Sequence, residues 1–236
     1  FCAVGKYGTG SIYEIIKKKI IKLNGKFNFK TTITGFDFEN LYINRINIDK
    51  KSSIKINKDD VVISTLPLTL SGRFLGIQSD LKFRGIKSIY LAFKKSYVLP
   101  KHSDWLYYDS PEIIFNRVTE NKKLSPHVAP KNKTFLTFEI TFSKNDKIDR
   151  MSDKILVELV ADHMEKAGIA KKSDVINSSV NSEYFVYPVQ TKGYNEKLSI
   201  LKSHVNKFQN LYSIGTGGDF NYADSQVLFH KAFDLV

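Results

Sequence analysis

The chain of 236 residues is long enough to bury one large core or two small ones, and its composition, 42% hydrophobic and 25% charged, favours a folded protein over a disordered one. No apolar run reaches the roughly 20 residues that a helix needs to cross a bilayer, which excludes a spanning segment. The net charge of +12 comes mostly from lysines spread along the chain, which argues against nucleic acid and is compatible with anionic ligands such as nucleotide phosphates.

The first third of the chain predicts a helix, a small sheet and a buried strand. Ser11 and Glu14 form a capping box ahead of apolar residues at helical spacing, which predicts a helix over 11–23. Alternating apolar and polar residues over 27–56 predict a short antiparallel meander. The apolar run VVISTLPL at 61–68 is typical of a strand that is buried on both faces.

The remaining elements are mostly strands, followed by helices. Runs of β-branched and aromatic residues predict strands over 86–93, 105–108, 113–118 and 134–142. The last of these alternates apolar with polar residues, which indicates a half-buried sheet. Three further helices are predicted, one capped by Ser152 and ended by Gly168, one over 194–208 and one over 224–236, with a brief strand at 210–215.

The chain starts at Phe1 without a signal-peptide pattern, which indicates a fragment. The lone Cys2 is compatible with a reducing, cytoplasmic location.

Two kinds of site find no support in the sequence. The five histidines have neither HxH nor HExxH spacing, so no metal site is predicted. Ser64 and Ser213 have no GxSxG setting, and a hydrolytic nucleophile is therefore not identified.

The segment GTGGDFNYADSQ at 215–226 carries the clearest functional signal. Glycines after a strand let the backbone approach a ligand, and the helix that begins at Asp224 presents unpaired N–H groups with partial positive charge. An anionic or electron-rich group suits such a place. The alternative is a tight turn at Gly217 and Gly218 without any function.

This segment resembles the last motif of the FAD-dependent amine-oxidase-like flavoproteins, the relatives of UDP-galactopyranose mutase and protoporphyrinogen oxidase. The motif reads G-R-x-G-x-(F/Y)-x-Y-x-(D/N)-x-(D/Q), and the matching residues are Gly215, Gly218, Phe220, Tyr222, Asp224 and Gln226. The family's arginine is replaced by Thr216. Two further family segments are similar to KYGTGSIYEII at 6–16 and DDVVISTLPL at 59–68. Three more segments of this chain, 114–126, 138–140 and 187–194, resemble the nucleotide-sugar relatives of the family.

The resemblance implies an α/β (α+β) fold that combines part of an FAD-binding domain with a β-rich substrate domain. It places residues 1–79 in the FAD-binding domain, 80–190 in the substrate domain, and 191–236 back in the FAD-binding domain. The implied cofactor-binding residues are Gly8, Gly10, Gly215, Thr216, Gly217, Gly218, Tyr222, Ala223, Asp224, Ser225 and Gln226. No strand–GxGxxG–helix motif occurs in the chain, so FAD is expected to bind weakly or not at all to this chain alone.

Substrate contacts are expected from four side chains of the β-rich region and its end. Arg117 is a candidate anchor for a phosphate or carboxylate, because a guanidinium binds such groups bidentately, and a surface arginine is the alternative. Trp105, Tyr107 and Tyr187, with Tyr108 beside them, are candidates to line a sugar or aromatic pocket, with a core position as the alternative. No catalytic residue is identified.

The resemblance implies the C-terminal part of an FAD-dependent oxidoreductase or mutase. The implied substrate is a small molecule, a nucleotide-linked sugar used in surface-polysaccharide synthesis. One alternative is an amine or porphyrinogen-type FAD oxidase. The other is a non-catalytic binding module that lacks the nucleotide-binding half. Whether the protein is an enzyme is left open by these alternatives, and the chain alone is expected to be inactive.

Overall fold

The computed structural model describes residues 5–49 and 52–235, and its chain divides into two compact units. The large-sheet unit contains the chain up to Phe27 and Gly85–Tyr184, and the two-sheet unit contains Asn28–Arg84 and Phe185–Val236. Cys2 lies outside the described residues. The unit borders differ from the predicted ones, since the predicted helix near the start groups with the large sheet and not with residues 28–79.

Helices and strands alternate irregularly along the chain. The helices are α1 Gly10–Lys22, α2 Leu68–Phe74, α3 Asn121–Leu124, α4 Asp153–Lys166, α5 Tyr194–Val205, α6 Gly215–Asp219 and α7 Ser225–Phe233. The strands are β1 Ile33–Glu39, β2 Tyr42–Ile48, β3 Ser52–Lys55, β4 Val62–Ser64, β5 Phe83–Phe93, β6 Trp105–Tyr107, β7 Arg117–Glu120, β8 Thr134–Phe142, β9 Val175–Pro188 and β10 Leu211–Ser213. Short 3₁₀ turns lie at Pro126–Val128 and Lys172–Asp174. The predicted mixed helix-and-sheet class is confirmed.

The large-sheet unit is built on a five-stranded sheet in the order β6-β7-β8-β5-β9. One face of this sheet packs on α4, where Ser152 caps the helix by accepting a hydrogen bond from the N–H of Ile155. The core between sheet and helix includes Ile89, Leu91, Leu136, Phe138, Ile140, Leu156, Val160 and Met164. Because side chains alternate across a strand, the intervening residues of β5, β7 and β8 lie on the opposite face.

The two-sheet unit contains the predicted meander, β1-β2-β3, and a parallel pair formed by β4 and β10. Val62 lies opposite Leu211, and Ser64 lies opposite Ser213, so the two segments, both assigned by the resemblance to the FAD-binding domain, are neighbours in one sheet. The buried side chain of Asn210 joins this pair to the meander, since it accepts from the N–H of Ile43 and donates to its carbonyl, both at 2.9 Å. These bonds satisfy the N–H and the carbonyl of Ile43, which have no backbone partner on a neighbouring strand at this point.

Some local predictions were wrong. Ser11 does not cap α1: its Oγ accepts from the N–H of Tyr7, and Glu14 pairs with Lys17 instead. Ile63 of the strand predicted to be buried on both faces is 53% exposed, because the described sheet has only two strands there.

One element boundary and two whole elements also differ from the predictions. The strand predicted over 113–118 begins only at Arg117. The helix α2 and the 14-residue strand β9 were not predicted. The polar residues of β9, which include Asn177, Ser178 and Ser179, gave no strand signal because most of them are exposed.

Candidate functional site

The face of the large sheet opposite α4 carries two rows of polar and aromatic side chains. The strand registers place four residues in each row, the first being Tyr107, Arg117, Glu139 and Ser88, and the second Trp105, Thr119, Thr137 and Tyr90. Residues directly opposite on adjacent antiparallel strands have Cβ atoms about 5 Å apart, so neighbours within a row are in reach of each other. A charged row therefore lies beside a row of hydroxyl and aromatic groups.

Arg117 is the centre of the charged row. Its Nη2 donates to both carboxylate oxygens of Glu139, at 2.6 and 2.8 Å, and its Nη1 lies 3.4 Å from the hydroxyl of Tyr107. Burial by itself would lower the pKa of Arg117, but the hydrogen bonds to Glu139 and Tyr107 more than offset this and raise the pKa. Arg117 is therefore cationic at every physiological pH.

The ion pair does not use all donors of the guanidinium. Among the described residues, Nε of Arg117 is buried and has no hydrogen-bond partner. The Arg117 side chain is 35% exposed and that of Glu139 is 18% exposed, so the pair is reachable from one side. Arg117 can therefore bind an anion if Glu139 moves away, or if Glu139 and the anion share the guanidinium.

A cavity of about 280 Å³, the arginine cavity, opens over these rows. Its lining includes Trp105, Tyr107, Arg117, Thr119, Thr137 and Glu139. Three of the four predicted substrate residues, namely Trp105, Tyr107 and Arg117, are thus brought together. Sequence reasoning did not select Glu139 and Thr137, although the alternation in 134–142 already placed both on one face.

The short helix α3 closes one side of the arginine cavity through Asn121. Asn121 donates from Nδ2 to the Thr137 hydroxyl at 2.6 Å. Its neighbours point away: the buried Glu120 accepts from the N–H groups of Val98 and Leu99, and the buried Lys122 contacts a loop. Asn121 is held at the cavity by polar contacts of the residues on both sides of it.

Two aromatic residues lie elsewhere. Tyr108 packs edge-on against the buried Phe115, with ring centroids 5.0 Å apart, and burial raises the pKa of its hydroxyl. It belongs to the core side of the sheet, so its proposed role in lining the pocket was wrong. Tyr187 belongs to the two-sheet unit, where its ring centroid lies 5.1 Å from that of Tyr222.

The glycine segment after β10 is a short helix and not a turn. Residues Gly215–Asp219 form α6, and only Gly215 of its glycines has a positive φ, at 86°. A Cβ on Gly217 would lie 3.3 Å from the carbonyl oxygen of Thr65, and one on Gly218 would lie 3.2 Å from that of Ser64. Both glycines therefore allow α6 to approach the end of β4, and no positive-φ strain applies to them.

The start of α7 keeps free donors for an anionic or electron-rich group. Asp224 is the N-cap residue, but its carboxylate accepts from no backbone N–H of the helix; instead it accepts from the side-chain Nε2 of Gln226 at 3.4 Å. Within the described chain, the N–H groups of Ser225 and Gln226 have no hydrogen-bond partner. The Asp224 side chain therefore does not cap α7, and the first N–H groups of the helix are open.

The other predicted cofactor residues are divided between the two units. Gly8, with φ of 90°, and Gly10, the first residue of α1, belong to the large-sheet unit. Thr216, Tyr222 and Ala223 belong to the two-sheet unit, where Tyr222 is 57% exposed. The roles of these residues stay predictions.

The described residues contain neither a candidate membrane-spanning helix nor a group of metal ligands. No helix among residues 5–49 and 52–235 is long and apolar enough to cross a membrane. In the same part of the chain, no three His, Cys, Asp or Glu side chains are grouped so that they could hold a metal ion.

The chain is similar in fold to several solved structures, although no family model and no curated protein matches its sequence. It matches a reduced UDP-galactopyranose mutase with a TM-score of 0.75 and 20% identity, over 91% of this chain and 47% of that chain. It matches a proposed protoporphyrinogen oxidase from Exiguobacterium with a TM-score of 0.67 and 17% identity, over 89% of this chain and 46% of the other.

A third similar structure is an oxidoreductase from Methanosarcina mazei, with a TM-score of 0.59 and 17% identity, over 89% of this chain and 49% of that chain. The chain thus spans about half the length of the structures it matches. The fold class expected from the resemblance is confirmed, namely a mixed helix and sheet architecture shared with FAD-dependent oxidoreductases.

Proposed function

We propose that this chain is the C-terminal part of an FAD-dependent oxidoreductase or mutase that acts on a nucleotide-linked sugar in surface-polysaccharide synthesis. The observation that carries the proposal is the arginine cavity, a site with a permanent cation and aromatic walls on a fold shared with UDP-galactopyranose mutase. The large-sheet unit would bind the substrate and the two-sheet unit would contribute to the flavin site. The lone cysteine is compatible with a cytoplasmic protein.

The arginine cavity suits the polar part of such a substrate. Arg117 offers a charge that does not titrate, and a phosphate group can accept from the donors that Glu139 leaves unused. The exposed rings of Trp105 and Tyr107 provide surfaces on which a sugar can pack. Glu139 prevents the guanidinium from being left unpaired when no substrate is present.

The start of α7 suits the flavin. The open N–H groups of Ser225 and Gln226 are donors for an electron-rich ring edge, and FAD, when bound, supplies the redox chemistry. Donors of this kind stabilise negative charge without a protonation step. Gly215, the first residue of α6, has a positive φ of 86°, a conformation that a residue with a side chain rarely adopts.

The first test is the affinity for FAD. We expect the 236-residue chain to bind FAD roughly a hundredfold more weakly than a longer natural chain with an upstream strand–GxGxxG–helix, because the pyrophosphate loses several charge-assisted hydrogen bonds. Calorimetric titration of both chains measures the difference. Micromolar or tighter binding by the 236-residue chain would contradict the proposed division of the flavin site.

The same comparison decides whether the protein is a binding module. A longer chain that carries the upstream motif and purifies with flavin supports an enzyme. A natural chain without that motif, purified free of flavin, would instead support the non-catalytic module, because the strand–GxGxxG–helix is the element that holds the pyrophosphate of a dinucleotide.

The second test concerns Arg117 in the flavin-loaded longer chain. Arg117→Ala should raise the KM for a nucleotide-linked sugar roughly 30-fold, about 2 kcal/mol, and leave the flavin content unchanged, because a charge-assisted pair to phosphate is lost. Arg150→Ala is the control, since Arg150 is an exposed residue of the same unit that lines no part of the cavity. An unchanged KM in the Arg117 variant would remove the phosphate role.

An amine substrate would reverse the effect of the Arg117 variant on the KM. A cationic amine pairs with a carboxylate and is repelled by a guanidinium, so Glu139 and not Arg117 would carry its binding. If Glu139→Gln raised the KM for an amine while Arg117→Ala lowered it, the amine-oxidase alternative would be favoured.

A further inference from the structure

Helix α1 carries an exposed stripe of one apolar and three basic side chains. Ile15, Lys18, Lys19 and Lys22 are spaced by three and four residues, which places them on one face of the helix. All four are exposed, and no residue of α1 is buried. The three ammonium groups have no ion-pair or hydrogen-bond partner among the described residues, since Glu14 pairs with the neighbouring Lys17. This lysine stripe is an unpaired cationic surface with an apolar side chain in it.

An acidic cavity of about 820 Å³ lies in the two-sheet unit, where the parallel strands β4 and β10 begin. Its lining includes Glu39, Asp59 and Asp60. Among the described lining residues these carboxylates outnumber the one ammonium, that of Lys58, although the net charge of the chain is +12. Asp60 accepts from the N–H of Asn57 at 2.7 Å, whereas Glu39 and Asp59 have no side-chain partner in the described chain. Two carboxylates at this cavity are therefore available to a cation.

The walls of the acidic cavity are joined by hydrogen bonds. The N–H of Gln209 donates to the carbonyl of Leu41 at 2.9 Å, which ties the segment before β10 to the β1–β2 turn. The hydroxyl of Tyr42 donates to the carbonyl of Asn57 at 3.2 Å, which ties β2 to the segment before β4. A surface that is already fixed loses little conformational entropy when a partner binds.

An exposed apolar face of the parallel pair continues from the acidic cavity. Val61 and Tyr212 line the cavity and are exposed, and Ile63, directly opposite Tyr212, is exposed as well. The other face of the pair, with Val62 and Leu211, is buried in the core of this unit. Parallel sheets are normally covered by helices on both faces. A helix with apolar and basic side chains fits this face and its acidic border.

We propose that the lysine stripe of one copy of this chain docks over the acidic cavity of a second copy. Ile15 would contact the apolar face of the parallel pair, and the lysines would pair with Glu39 and Asp59. Each copy carries both surfaces, so a reciprocal dimer around a two-fold axis uses all of them. The inference does not rest on the proposed function, because the acidic cavity and the open donors of α7 consist of different residues.

The experiment measures self-association of the 236-residue chain by sedimentation velocity, at about 1 to 200 μM and about 50 mM NaCl. Lys18→Glu reverses a charge of the lysine stripe, and Asp59→Lys reverses one at the acidic cavity. Both residues are exposed, so neither change should unfold the chain. A third variant carries both changes. Lys154→Glu and Asp109→Lys are the matched controls, because they make the same charge changes at exposed positions outside both surfaces.

The unchanged chain should dimerise, and each single variant should weaken the dimer roughly tenfold, because a like charge replaces an attractive one. The variant with both changes should recover to within about threefold of the unchanged chain, since opposite charges face each other again. The two controls should associate as the unchanged chain does. Hydroxyl-radical footprinting should show Tyr212 protected in the dimer, which a dimer through another surface would not produce.

The inference is overturned if the unchanged chain stays monomeric up to about 200 μM, or if both single variants dimerise as it does. It is also overturned if a longer natural chain protects Tyr212 as a monomer, because its own upstream residues then cover this face. None of these results alters the flavin content or the KM on which the proposed function is judged. The two can therefore fail separately.

Discussion

Replacing Lys122 with methionine is expected to lower the free energy of unfolding of the large-sheet unit by about 4 kcal/mol. The Lys122 side chain is buried, with 4% exposure, and its ammonium donates to the carbonyl oxygens of Pro130, Lys131 and Lys133 at 2.7 to 2.8 Å. An ammonium has three N–H donors, and all three are used. Methionine keeps the apolar stem but leaves three carbonyls of one loop without their donor.

Urea unfolding followed by Trp105 fluorescence measures this loss, because the only tryptophan lies in the same unit. Lys101→Met is the matched control: Lys101 is exposed, and its replacement should change the unfolding free energy by less than about 0.5 kcal/mol. Equal midpoints for the two variants would show that the carbonyl contacts of Lys122 contribute little.

The contacts of Lys122 matter for the arginine cavity, because Lys122 belongs to α3, the helix that also carries Asn121. Lys123 donates to the carbonyls of Leu99, Pro100 and Ser103, and Glu120 accepts from Thr134 at 2.8 Å. Asn121 is therefore flanked on both sides by residues whose charges are buried and paired with the backbone. Such a network is costly to disturb, which keeps Asn121 at the arginine cavity.

The sequence predicted the elements whose periodicity is imposed by one buried face. The helix after Ser152 and the strand 134–142 alternate apolar and polar residues at the period of their structure, and both were found where expected. The same alternation already placed Glu139 and Thr137 together. What the pattern could not supply was register, since the opposition of Arg117 to Glu139 depends on how two strands of different length align.

Other parts of the site depend on contacts that leave no local signal. Buried lysines are rare, so the ENKK segment at 120–123 looks like an exposed turn in the sequence, while the structure buries Glu120 and Lys122. A second cavity of the large-sheet unit is lined by Tyr7, Tyr90 and His127, which are far apart in the chain. The glycine segment at 215–219 gave no helix signal, because glycine is a poor helix former and tertiary contacts decide its conformation.

Gly218→Val is expected to destabilise the two-sheet unit by about 3 kcal/mol, because the added Cβ would lie 2.9 Å from the Ser213 hydroxyl and 3.2 Å from the Ser64 carbonyl oxygen. Ser213 donates to the carbonyl of Gly218 at 3.0 Å, so moving it away from the new side chain also costs a hydrogen bond. The main-chain oxygen of Ser64 cannot move without disturbing β4 and its partner strand β10.

Amide hydrogen exchange measures this effect, because β4 and β10 lie in the unit without tryptophan, and their N–H groups should exchange faster when α6 is displaced. In the flavin-loaded longer chain the same displacement should lower the flavin content, since α6 leads into the donors at the start of α7. Gly35→Val is the control, because Gly35 lies in the same unit and a Cβ there meets only the side chain of Asn47, at 3.7 Å. Unchanged exchange and full flavin content in the Gly218 variant would show that α6 tolerates a side chain and that its glycines serve neither packing nor the cofactor.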